Sequence, residues 1–254
     1  VLPLEGRYGE ISPKTSDSVW DKFTYQPVAY TRSGYPSPMR DIFHEELESI
    51  TADHLKMTAL VRDAISNATA SLLNADLQMA EKVITDDLTI DSIQQALDER
   101  TINIMARQQP VASDLRRLVS SLRISADLER MGDLAHHIAK LARMRYPNRA
   151  VPPELVEVIS EMGAAALRIL EKMSVVIEFR DTNRALEVES DDDEMDKLQR
   201  RLLSTILGPE WVEPVECAVD MAFASRYFER FSDHAVSIAR RVYYTETGEY
   251  SPRG

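Results

Sequence analysis

A single cysteine, Cys217, stands in the 254 residues of this chain. It excludes an internal disulfide and leaves no second thiol with which to build a zinc or redox site, a pattern that fits the cytoplasm. Glycine is scarce, with 8 residues, and none is arranged as a phosphate-cradling loop or a dinucleotide turn. Positive charge is in deficit: 30 Lys and Arg against 42 Asp and Glu give a formal net charge of -12 and a pI near 5.0. Nucleic acid is therefore excluded as a partner class, because phosphate backbones are bound by basic surfaces. Cations and basic protein surfaces are the expected partners. No uninterrupted apolar run approaches the ~20 residues of a membrane span, and the first thirty residues lack an apolar leader core, so no direct membrane insertion is expected.

Several metal and catalytic motifs are also absent. None of the 5 histidines has a Glu three residues before it, so the paired Glu-x-x-His ligands of a ferritin-like di-iron bundle are missing. HEELE at 44–48 carries Glu48 where a zinc-protease helix needs histidine, and SDDDEMD at 190–196 lacks the glycine of an EF-hand loop. No nucleophile elbow is present.

What is present is helical. Proline and glycine crowd residues 1–38, predicting an irregular lead, and then fall in tight groups around Pro110, in YPNRAVPPE at 146–154 and in GPEWVEP at 208–214. Between them, Phe43, Leu47, Ile50, His54, Met57, Val61, Ala64, Ala68 and Leu72 alternate four and three apart, as on one face of a bundle helix. Further helices are predicted over about 76–107, 113–145 with Ser113 as N-cap, 153–180, 182–207 and 212–245. Short turns between antiparallel helices make three-helix bundles, here one over 39–147 and a second over 148–254.

The two bundles are copies. Shifting LERMGDLAHHIAK at 128–140 onto FERFSDHAVSIAR at 228–240 matches six of thirteen residues, where composition alone gives about one. The preceding hairpin aligns at a different shift, with Asp76 over Asp181, Ala80 over Ala185, Val83 over Val188, Asp87 over Asp192 and Asp91 over Asp196. The connections around Pro110 and Pro209 are the expected place for that difference, since loops absorb length changes at little cost.

Four acidic pairs at i,i+4 spacing survive the duplication: Asp87/Asp91, Glu129/Asp133, Asp192/Asp196 and Glu229/Asp233. Like charges so placed destabilise a helix by a few tenths of a kcal/mol, and a hard cation liganded by carboxylate oxygens reverses that sign. One pair supplies too few ligands; two pairs on adjacent helices supply four. The helical angle points Glu129 and Asp133 about 170° from the stripe of Leu128, Met131, Ala135, Ile138 and Ala142. Glu229 and Asp233 stand in the same way to Phe228, Phe231, Ala235, Ile238 and Val242. A solvated charged face is the competing reading, and recurrence in both copies weighs against it. His54, on an apolar stripe, reads as a partnered core histidine. His136 and His137 follow Asp133 but give way to Val236 and Ser237 in the second copy, so no repeated histidine ligand is expected. Arg107, Arg116, Arg117 and Arg123 are candidates to face an anion, with solvated arginines the commoner outcome.

MRDIFHEELESI at 39–50, RQQPVASDLR at 107–116, the twin Glu-x-x-x-Asp motifs and the acidic hairpins at 87–91 and 192–196 together resemble the PhoU family of phosphate-transport regulators. The resemblance runs from residue 39 to about 245. It implies an all-α fold of two tandem, pseudo-two-fold related three-helix bundles. It also implies multinuclear metal sites, with iron or zinc, drawn from Asp87, Asp91, Glu129, Asp133, Asp192, Asp196, Glu229 and Asp233. The implied function is that of a homodimeric cytoplasmic adaptor, held at the inner face of the membrane through its partners. It would repress phosphate-starvation signalling and uptake by bridging the ATPase subunit of a phosphate transporter and a sensor histidine kinase. The lead at 1–38 lies outside the resemblance and is assigned no function. The alternative reading is a metal-dependent hydrolase or oxidase built on the carboxylate clusters; no base or histidine recurs with the pairs to support it.

Overall fold

The computed structural model describes residues 37–252, so all but the last two residues of the predicted lead lie outside the described residues. Six α-helices run in order: α1 Ser37–Asn74, α2 Leu77–Gln108, α3 Ser113–Arg145, α4 Val156–Phe179, α5 Thr182–Ile206 and α6 Val215–Thr247. A 3₁₀ turn, Pro153–Leu155, leads into α4. There is no strand among the described residues. The fold is thus all-α, with α1–α3 forming one three-helix unit and α4–α6 the other. Pro38 falls in the first turn of α1, where a missing N–H breaks no helical bond.

Duplicated residues start the duplicated hairpins. Asp76 caps α2 by accepting from the Met79 N–H, and Asp181 caps α5 by accepting from those of Asn183 and Arg184. Ser113 is not the N-cap expected of it: it is the first residue of α3, preceded by Ala112 in a positive-φ conformation with no side-chain cap. The length difference between the copies also lies elsewhere than expected. α2 has 32 residues and α5 has 25, while the connection grows from 109–112 to 207–214. Gly208 and Pro209 end α5 early, and the longer loop only partly makes up the loss.

Both predicted stripes are interior. Leu128, Met131, Ala135, Ile138 and Ala142 are buried, as are Phe228, Phe231, Ala235, Ile238 and Val242. α3 packs against α1, α2 and α6, while α4 packs against α1, α5 and α6, so the apolar core is continuous through both units. At the α1–α4 crossing, Gly163 lets the backbones approach: a Cβ there would stand 2.5 Å from Thr69 Cγ2. His54 is a core histidine as expected. Its Nε2 lies 3.2 Å from the Ser121 carbonyl oxygen, and burial lowers its pKa to about 4, keeping the ring neutral.

The seam between α3 and α6 carries the pseudo-two-fold relation. Asp127 of α3 faces Ser237 of α6, at 3.0 Å, while His137 of α3 stacks on Tyr227 of α6 at 5.3 Å between ring centroids. The second contact is the first with the helices exchanged, since 127 aligns with 227 and 137 with 237. Asp127 also accepts from Arg241 Nε at 3.1 Å and pairs with His234 Nδ1 at 2.9 Å.

Candidate metal centres

Each pair on a third helix meets the pair on the hairpin helix beside it. In the first unit, Asp87 and Asp91 of α2 face Glu129 and Asp133 of α3. Asp91 has its pKa raised by burial, then by the charges of Asp87 and Asp133. Burial raises Glu129 also, with Asp133, Asp91 and Asp87 adding to the shift against Arg130. In the second unit, Asp192 and Asp196 of α5 face Glu229 and Asp233 of α6. Asp192 is pushed up to about 6 by burial, then by Asp233, Asp196, Glu229 and Asp193. Glu229 is raised by burial and by Asp233, with Arg226 and Arg230 pulling the other way.

The faces are partly closed off from solvent, although Asp196 is exposed and the Asp233 side chain is 41% exposed. The pairs point away from the apolar seam, as the helical angle predicts, but α2 and α5 lie across them. The Asp87 side chain is 9% exposed and that of Glu229 13%. Acids in such a position repel one another in a medium that screens poorly, so each cluster is a place where positive charge is stabilised.

Arginines supply that charge in the present arrangement. Arg130 reaches Glu129 at 3.4 Å and Asp133 at 2.7 Å. In the second unit the task is divided: Arg226 pairs with Glu229 at 2.5 Å and Arg230 with Asp233 at 3.6 Å. The carboxylates are turned toward these guanidinium groups, and among the described residues no group of three or more His, Cys, Asp or Glu side chains is set to hold an ion. Two unmet acceptors accompany the arrangement. Glu229 Oε2 is buried without a hydrogen-bond partner, and so is His136 Nε2. The donor set, carboxylate oxygens in both units, suits a hard cation.

His136 belongs to the first cluster although its absence from the second copy counted against it in sequence. Its Nδ1 lies 2.5 Å from Asp87 Oδ2, leaving Nε2 on the far side of the ring. A carboxylate behind one ring nitrogen fixes the orientation of the other, an arrangement common behind metal-binding imidazoles. Gly132 makes room for it: a Cβ there would stand 2.9 Å from Ile90 Cδ1 and 3.1 Å from Asp87 Oδ1. The aligned residue is Ser232, buried, with a hydroxyl lacking any partner.

The four arginines considered for anions scatter. Arg107 pairs with Glu46 at 2.8 Å. Arg116 lies over the Tyr244 ring, 5.5 Å from its centroid, and exposed Arg123 borders the same groove between α3 and α6. Arg117 lies in a separate cavity, toward Glu246.

Comparison with known proteins bears on the duplicated all-α fold. The PhoU domain model matches twice, over residues 55–142 and 159–242. The chain is 40% identical over 212 residues, 84% of its length and 100% of the relative's, to "Phosphate-specific transport system accessory protein PhoU homolog 2" of Mycobacterium tuberculosis. It is 32% identical over 214 residues to the PhoU homolog of Rhizobium meliloti, covering 84% of this chain and 90% of the relative. Among solved structures, it is similar to PhoU from Pseudomonas aeruginosa, with a TM-score of 0.72 and 28% identity over 82% of this chain and 100% of the other. It is also similar to the phosphate transport system regulatory protein PhoU from Streptococcus pneumoniae, with a TM-score of 0.75 and 28% identity over 82% of this chain and 99% of the other.

Proposed function

The chain is a member of the PhoU family, and from that premise we propose that it is a negative regulator of phosphate-starvation signalling and phosphate uptake. Its relatives are named accessory proteins of phosphate-specific transport, and the chain is an accessory regulator and not an enzyme. In this reading it is a cytoplasmic adaptor, held at the inner face of the membrane by the transporter's ATPase subunit and a sensor histidine kinase. No helix among the described residues is long and apolar enough to cross a membrane, so attachment through partners suits the fold. The observation that carries the reading is the 40% identity with an accessory protein over the whole of that relative and 84% of this chain. The hydrolase or oxidase alternative finds no support in proteins named for accessory roles.

The acidic clusters give the adaptor a means of changing its surface. Asp87, Asp91, Glu129 and Asp133 would hold one cation centre, with His136 orienting Asp87, and Asp192, Asp196, Glu229 and Asp233 another, with iron or zinc as the metals of choice. A bound cation supplies positive charge that turns an acidic face into one able to meet an anionic group. This chain's own part is to hold carboxylates from two neighbouring rigid helices close together. The arginines that now neutralise them sit on flexible, half-exposed side chains that swing away without disturbing the core. A homodimer would present two copies of each face.

Deleting the gene, together with any paralogue, is expected to raise transcription of phosphate-uptake genes in phosphate-rich medium. Unchanged transcription would sink the regulatory assignment.

A further inference from the structure

Where the two units meet, the helices leave a cavity of about 60 Å³ walled by α1, α3, α4 and α6. That is room for more than one water or for one small polyatomic ion. Leu47, Ile124 and Val242 make part of the wall apolar, and two guanidinium groups, Arg117 of α3 and Arg180 at the end of α4, border it with the carboxylate of Glu246.

The charges in this cavity are poorly matched. Arg117 Nη2 is 3.7 Å from one Glu246 oxygen and Arg180 Nε is 3.9 Å from the other, both beyond hydrogen-bond length. Arg117 Nε is buried with no hydrogen-bond partner. A buried N–H on a charged group without an acceptor is a costly arrangement, and two cations sharing one distant carboxylate leave a net positive charge. Nothing else in the wall supplies an acceptor of full charge. His54 is neutral and engaged with Ser121, and Thr51 spends its proton on the Leu47 carbonyl oxygen at 3.1 Å. Arg180 is held in place by its left-handed backbone, φ 53°, which closes α4.

We propose that this cavity binds a small tetrahedral oxyanion of the size and charge of inorganic phosphate, gripped by Arg117 and Arg180 while Glu246 swings toward solvent. Planar guanidinium forks on two sides match an oxyanion's several acceptors, and the apolar wall strengthens each charged hydrogen bond. Arg117 belongs to the first unit and Arg180 and Glu246 to the second, so the ligand would tie the units together. The inference rests on these residues and is separate from the cation reading of the acidic clusters.

The test is titration calorimetry of the full chain with inorganic phosphate, in EDTA so that no cation at the acidic clusters contributes, with chloride holding ionic strength constant. Saturable one-site heat is expected, together with a rise in Tm that grows with phosphate concentration. Arg117→Gln and Arg180→Gln should each weaken binding about tenfold or more, and Glu246→Gln, which removes the competing anion, should tighten it several-fold. Glu229→Gln/Asp233→Asn should bind phosphate like the wild type. Absence of saturable heat in both the wild type and Glu246→Gln would overturn the proposal, as would unaltered binding in both arginine variants with helix content intact by circular dichroism. Because Glu246→Gln is a gain of binding, the proposal stays testable if an arginine variant fails to fold.

Discussion

The two acidic clusters began as copies and have been neutralised differently. In the first, one arginine spans Glu129 and Asp133 while His136 stands against Asp87. In the second, two arginines take one carboxylate each, Val236 replaces the histidine, and Asp192 is left among four other acids with its pKa pushed up to about 6. What has been kept is the set of four carboxylates; what has drifted is the means of offsetting their charge. A purely structural role would need only less mutual repulsion, which Asp→Asn and Glu→Gln replacements supply, and neither unit has taken that route. The seam between α3 and α6 gives a parallel lesson. One of its equivalent contacts is the charged Asp127 network and the other is the stacked pair His137–Tyr227, so the same helix crossing is held by two kinds of interaction.

The seam offers the largest effect by which to break that equivalence. Burial pushes the Asp127 carboxyl up, but hydrogen bonds from His234, Arg241 and Ser237 more than offset it, and the group ends below its ordinary value. Asp127→Ala should destabilise the fold by about 3 kcal/mol in urea denaturation, because it strands Arg241 and His234 at the interface. Tyr227→Ala at the equivalent contact should cost less, as its stacking partner is merely re-exposed. Equal losses would mean the network adds nothing over packing.

The next effect separates the clusters by pH. The folded-state pKa of Asp192, about 6, lies above its ordinary 3.8, so the folded protein takes up the proton before the unfolded chain does. Stability of the metal-free protein should therefore fall as pH rises from about 4 through about 6, by on the order of 1 to 2 kcal/mol once solvent screening of this half-buried group is discounted. Asp91, Glu129 and Glu229, also raised, contribute with the same sign. Asp192→Asn should flatten most of the slope; a slope that survives it would place the repulsion elsewhere.

The smallest effects exchange Gly132 and Ser232, one of the two positions at which ERMGD and ERFSD differ, the other being the buried pair Met131 and Phe231. Gly132→Ser drives a side chain into Ile90 and Asp87 and should cost about 1 kcal/mol. Ser232→Gly should change stability by less than about 1 kcal/mol, since the helix-propensity loss is offset by removing a buried hydroxyl that has no partner. Thermal denaturation of the two exchanges, side by side, measures how far the copies have diverged.

Much of the fold was legible because helices write their burial into the sequence every three to four residues. The stripes of α3 and α6 are interior as their spacing predicts, that of α1 is so except at Ala64, where the neighbouring Ile65 is the buried residue, and breakers mark the helix ends to within a few residues. The acidic clusters were legible for a second reason, internal duplication, which gave eight carboxylates a comparison that one copy alone lacks. His136 was discounted on that same comparison, since a residue acting in one unit only is invisible to it. Ser113 was misplaced by one position because cap geometry depends on the dihedral angles of Ala112, which composition does not encode. The Asp127 network and the Arg117–Arg180–Glu246 cavity left no local pattern. Their members lie far apart in sequence and meet only through the packing of one unit on the other.

The central claim is that each acidic cluster holds a cation, and metal binding in half-site variants tests it most directly. Purified protein would be loaded with iron or zinc, dialysed and assayed for metal content as wild type, Asp87→Asn/Glu129→Gln, Asp192→Asn/Glu229→Gln and the combination of all four. The account predicts that each double variant loses the metal of its own unit and keeps that of the other, and that the fourfold variant retains only traces. Trace metal in the wild type, or equal metal in all four proteins, would contradict it and return the carboxylates to the role of charges balanced by arginine.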